Sequence, residues 1–146
     1  MSCARKQALI EAPIEAVWRL VGDPARYPEW AGGVLEVTGL AMVEQGAQFQ
    51  QKSSVPFGTK TTTFMVDDLE EMREIRLRCL ESGLYSRWLL TEARGATFTE
   101  VEIGMHPENV SARTFDATVG KRWYRRLVEE SLVGLRRIAG REQAPA

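Results

Sequence analysis

Apolar and polar positions divide the chain into three stretches with different periods. Residues 3–12 alternate, with Ala8 and Ile10 on one side and Leu9 and Glu11 on the other, which predicts a strand. Pro13 suits the first position of a helix, because its missing N–H would be unpaired there anyway. Ile14, Val17, Trp18 and Val21 then recur at the spacing of one helical face, and Gly22 closes it. Asp23-Pro24 predicts a cap and a second helix, which Pro28 and Gly32-Gly33 keep short.

From Val34 to Pro107 the period is two. Strands are predicted over 34–43, 47–55, 59–69, 74–81, 84–92 and 97–105, with turns at Gln45-Gly46, Pro56-Phe57-Gly58, 70–74, Ser82-Gly83 and Arg94-Gly95-Ala96. Ile75, Leu77 and Cys79 oppose Arg76 and Arg78, and Val101, Ile103 and Met105 oppose Glu100 and Glu102. One wet face and one dry face describe an antiparallel sheet covered on one side, and the short loops make it a meander. The chain ends in a long helix that starts within 111–114, capped by Ser111 or Thr114, and runs to about Gly140. Its apolar stripe is Val119, Trp123, Leu127, Leu135 and Ile138. Gly120 and Gly134 lie beside that stripe, where close approach to a sheet wants small residues. About 25 helical residues would reach ~38 Å, enough to cross a curved sheet.

Composition narrows the classes. The 146 residues, 44% apolar and 27% charged, describe one folded domain, placed at 1–141, with 142–146 as a flexible tail. A net charge of −1 argues against a nucleic-acid partner, whose phosphates demand cationic surface. Residues 113–142 nevertheless carry eight basic and four acidic side chains, read as a solvated helix face. Cys3 and Cys79 form no CxxC, and His106 is the one histidine, so neither a metal site nor a cofactor is expected. No membrane-spanning run is seen, and the opening residues lack the apolar core of a signal peptide, so a cytoplasmic location is expected. His106 falls on the outward face with Glu100 and Glu102, which makes it a surface residue. No nucleophile elbow, phosphate-binding loop or HExxH motif is present.

Three segments resemble a known family. Ile10-Glu11-Ala12-Pro13-Ile14-Glu15-Ala16-Val17-Trp18, followed by Asp23-Pro24 and Tyr27-Pro28-Glu29-Trp30, looks like the opening of the polyketide cyclase/dehydrase and lipid-transport family of the START-like superfamily. Gly95-Ala96-Thr97 and Ser131-Leu132-Val133-Gly134-Leu135-Arg136 are similar to its later turn and helix ending. The resemblance implies an α+β helix-grip fold. In it a seven-stranded antiparallel sheet curls around a long C-terminal helix, with two short helices after the first strand and an apolar cavity between sheet and helix.

The candidate site follows from the inward faces. Phe49, Phe64, Leu77, Trp88 and Val101 on the sheet and Val119, Trp123 and Leu127 on the helix would line the cavity, with Gln51, Thr99 and Tyr124 as its polar groups. The mouth is expected by the Val55–Gly58 and Ser82-Gly83 turns, beside the N-terminal half of the long helix. Gln, Ser, Thr and Tyr hydrogen-bond a ligand, but none is a strong base near neutral pH, so no catalytic residue is assigned. The first reading is therefore a binding protein for a small, mostly apolar molecule: a lipid, polyketide or aromatic. A polyketide cyclase or dehydratase acting in the same cavity is the alternative, since cyclisation is served by shape and a few hydrogen bonds. A third reading, an interaction module such as a homodimer, rests on Trp30 and the basic C-terminal segment.

Overall fold

Strand β1 (Ser2–Ile10) runs into the helical pair the pattern predicts. The computed structural model describes residues 2–143. Helix α1 (Ile14–Val21) buries Ala16, Val17, Leu20 and Val21, so its inward face is turned from the predicted one, and Ile14 and Trp18 lie at its edge. Pro13 stands just before the helix rather than in it: its ψ of 155° is extended, and its carbonyl accepts from Ala16 and Val17. Gly22 is required by Trp18, whose ring lies 2.4 Å from where a Cβ would be. A 3-10 segment (Pro24–Glu29) follows, capped by the Asp23 carboxylate on the Ala25 N–H.

Six further strands form the meander: β2 (Val34–Thr38), β3 (Gln48–Val55), β4 (Gly58–Glu70), β5 (Glu74–Cys79), β6 (Leu84–Ala93) and β7 (Ala96–Met105). All neighbours are antiparallel in the order β1-β7-β6-β5-β4-β3-β2. Strand β2 stops well before the predicted residue 43. Gly39 adopts a φ of 80° and turns the chain away, and Leu40 and Val43 pack on the core from a loop. The β6–β7 turn has positive φ at both Arg94 and Gly95, the backbone of a two-residue hairpin that follows the strand twist. Register shifts in β2 near Val34 and in β4 near Asp67 are bulges, which bend strands and help the sheet curl.

The closing helix begins earlier than predicted. Asn109, not Ser111 or Thr114, is its cap, accepting the Ala112 N–H at 2.8 Å. Helix α2 (Val110–Phe115), a π turn (Asp116–Gly120) and helix α3 (Lys121–Gln143) form one run across the concave face of the sheet. Glu142, assigned to the tail, is helical and pairs with Arg26, whereas residues 144–146 lie outside the described residues. The two stripe glycines do not meet the sheet. Gly134 passes the backbone of Trp30, where a Cβ would sit 2.0 Å from its carbonyl oxygen, and Gly120 makes room for the Tyr124 phenol. This is the α+β helix-grip architecture, with the core between the helix and the concave sheet face.

Candidate functional site

Between the sheet and the start of the closing helix lies a cavity of about 490 Å³, open to solvent. That is within the usual range of ligand pockets. One wall is the β3–β4 hairpin from Ser53 to Phe64. The other is Cys79, Leu84, Met105, Ala112, Phe115 and Trp123, and Glu81, Ser82, Asn109 and Ser111 stand along its rim. Strand alternation grades the hairpin wall. Along β4 the inward residues run Lys60, Thr62, Phe64, and opposite them along β3 run Ser53, Gln51, Phe49, each paired across the ladder. The wall thus passes from charge through hydroxyl to aromatic as it goes inward. At the hairpin tip Phe57 is 96% exposed.

Aromatic rings close the inner end. A second space of about 60 Å³ touches Gln51, Leu77, Trp88 and Leu127 and shares Phe64 and Leu84 with the outer cavity. Phe64 stacks on Phe49 with centroids 5.9 Å apart, and Trp30 meets Trp88 edge-on at 5.2 Å. Phe115 and Trp123 meet at 90°, 5.2 Å apart, and wall the outer cavity. The aromatics therefore fill the deep interior and leave the outer half empty.

The predicted residues are placed unevenly. Phe64 and Trp123 line the outer cavity, and Gln51, Leu77, Trp88 and Leu127 line the small inner space with Phe64. Phe49, Thr99 and Val101 are buried core residues that line neither. Neither Thr99 Oγ1 nor Trp30 Nε1 has a hydrogen-bond partner among the described residues. Val119 is 43% exposed: the π turn widens the helix, breaks the 3.6-residue phase and turns Asp116 and Gly120 inward instead. Tyr124 follows Trp123 but faces the sheet side, fully buried, donating to Asp116 Oδ1 at 2.9 Å. Burial, followed by that contact with Asp116, pushes its phenol well above the ordinary range. The Ser2 N–H donates to the same oxygen, so this cluster ties the first strand to the helix.

Sequence reasoning passed over Lys60, Thr62, Cys79, Glu81 and Phe115. The first two were legible, since both share the parity of Phe64 in an alternating strand. Glu81 Oε2 accepts the Thr63 N–H at 3.2 Å, and Asn109 Nδ2 donates to the Glu81 carbonyl at 2.9 Å, which joins the end of β5 to the helix cap. Lys60 forms no ion pair among the described residues, in contrast to Arg78 with Asp67 and Arg87 with Glu74 on the convex face. His106 stacks on Tyr85 at 4.8 Å on that convex side, away from the cavity. There Tyr85 and Arg5 both donate to Glu102; burial alone would raise its carboxyl, but these two contacts outweigh it and hold it below the ordinary range. Among the described residues no cluster of three or more His, Cys, Asp or Glu could hold a metal ion.

Comparison with known proteins agrees with this architecture. Residues 1–140 match the family model described as polyketide cyclase / dehydrase and lipid transport. No curated protein matches the sequence. Among solved structures, a protein of Thermus thermophilus superposes with a TM-score of 0.78 at 14% identity, over 98% of this chain and 100% of its own. A START superfamily protein of Mycobacterium smegmatis gives 0.69 at 16% identity, covering 95% of each chain. A polyketide-cyclase-like protein of Corynebacterium glutamicum gives 0.62 at 20% identity, over 96% of this chain and 92% of its own. At such identities the likeness carries the fold alone.

Proposed function

Because the chain belongs to the polyketide cyclase/dehydrase and lipid-transport family, we propose that it binds a small, mostly apolar molecule in the cavity between the β3–β4 hairpin and the start of the closing helix. The observation that carries this reading is the 490 Å³ space itself, apolar on most of its surface, polar along one rim and open to solvent. Burying apolar ligand surface there yields roughly 25 cal/mol per Å² before the costs of immobilisation. Fluorescence of N-phenyl-1-naphthylamine, an uncharged apolar dye, tests it. Blue-shifted, saturable emission that a panel of lipids and aromatics displaces is expected, and absence of any uptake sinks the reading.

A second reading, cyclisation or dehydration of a polyketide, draws on Lys60 and Glu81, two titratable side chains at the mouth of one cavity. Proton transfer needs a group within hydrogen-bond reach of the substrate. Turnover of a reactive poly-β-ketone that is lost in Glu81→Gln but kept in Tyr124→Phe would favour it. No described helix is long and apolar enough to cross a membrane. A cytoplasmic location and the absence of a nucleic-acid partner belong to the same proposal. Trp30, expected at an interface, is buried at 4% exposure against Trp88, so a homodimer rests on the basic C-terminal segment alone, and sedimentation checks it.

A further inference from the structure

We infer that the molecule taken up by this cavity is an amphipathic anion, with its carboxylate or equivalent head at Lys60 and its apolar body directed inward. The inference rests on the binding reading above and adds the charge class of the ligand.

The polarity of the cavity is directional. Lys60, Thr62 and Phe64 succeed one another on the inward face of β4, opposite Ser53, Gln51 and Phe49 on β3. A bound molecule therefore meets a cation and two hydroxyls at the mouth and aromatic rings beyond them. The cation is free. The guanidinium groups of Arg5, Arg26, Arg78, Arg87 and Arg126 each have a carboxylate partner, whereas Lys60 has none among the described residues. Glu81, the carboxylate on the same rim, accepts the Thr63 N–H and makes no ion pair with Lys60 among the described residues, and its own charge repels an anionic head rather than receiving one. It leaves Lys60 as the group able to receive a charge. A carboxylate cannot enter the apolar interior without a large desolvation cost, so the head stays at the rim where Lys60 and water both reach it. Placement distinguishes Lys60 from Lys52, which is equally unpaired on the same hairpin but has the opposite parity and points from the convex face.

The test compares two ligands that differ only in the head. Decanoate and decan-1-ol displace N-phenyl-1-naphthylamine from the full-length protein near neutral pH and low salt, and the ratio of their affinities is read. The wild type is expected to prefer decanoate by about fivefold, the upper range for a solvent-accessible ion pair, with the preference shrinking as salt is added. Lys60→Met brings the ratio to about one and Lys60→Glu inverts it, whereas Lys52→Met, which removes the same charge from the other face, keeps it. Equal affinities in the wild type, or equal loss in Lys60→Met and Lys52→Met, overturn the inference. Failure of the dye to bind at all overturns the binding reading and the inference with it, whereas dye binding without head-group preference removes the inference alone.

Discussion

Replacing Phe64 with alanine removes the partition between the two interior spaces. The ring is 5% exposed, stacks on Phe49 and is a wall of both the 490 Å³ and the 60 Å³ volumes. Truncating a packed Phe costs about 3–5 kcal/mol, from lost transfer energy and the void left behind. Phe64 already borders empty space on two sides, so fewer contacts are lost and the lower end, ~3 kcal/mol, is expected. For a chain of this size that lowers Tm by roughly 6–12 °C, readable by circular dichroism. Ligand choice changes in the opposite sense. Affinity for alkan-1-ols rises by up to ~0.8 kcal/mol for each CH₂ until the chain end meets a wall. In Phe64→Ala that plateau moves to longer chains, because the wall is gone. A Tm loss below about 2 °C together with an unchanged plateau would refute the placement of Phe64 as the inner wall.

Tyr124→Phe leaves the buried Asp116 carboxylate one donor short and is expected to cost about 1–3 kcal/mol in urea unfolding. Glu102 has a folded-state pKa below its unfolded one, so its contribution is full above the ordinary carboxylate range and is lost as pH falls through the folded value. The stability gap between wild type and Glu102→Gln should therefore close on acidification below pH ~4, as followed by thermal melts across pH. Gly134→Ala drives a Cβ into the Trp30 carbonyl and is expected to destabilise by at least ~1–3 kcal/mol, whereas Gly140→Ala meets open space and gains up to ~1 kcal/mol of helix propensity. Parallel denaturation of these two variants checks the helix placement, and equal effects would contradict it.

Much of the fold was legible because each element keeps its own period. All six strands between Val34 and Pro107 follow alternation that a half-buried sheet imposes, and the pattern overruns the end of two of them: β5, predicted to residue 81, ends at Cys79, and β2, predicted to residue 43, ends at Thr38, because Leu40 and Val43 mimic a strand while packing from a loop. The closing helix was legible in existence and, beyond the π turn, in phase, since Leu127, Leu135 and Ile138 are buried and Trp123 lines the cavity; within the turn the phase fails. A π turn adds one residue to the hydrogen-bonded ring without any compositional mark, so a stripe extrapolated through it placed Val119 inward and missed Asp116. The mouth could be anticipated from the apolar Val55–Gly58 turn, and Phe64 and Trp123 from their size. Thr99 and Val101 share the inward parity of the cavity residues but lie where the helix packs directly on the sheet. Strand parity tells which face a residue takes and not where along that face the covering element lifts away.

The pairing of β1 with β7 has a consequence for how the chain assembles. Every other ladder joins strands adjacent in sequence, but Ser2 faces Met105 across an edge that closes only when the last strand exists. Closing so long a loop carries an entropic cost that hairpins avoid, which favours β2–β7 forming first. The strand synthesised earliest then docks late, and the Asp116 carboxylate that holds the Ser2 N–H acts as its latch. Substitutions within β1 are accordingly expected to speed unfolding while leaving the refolding rate nearly unchanged.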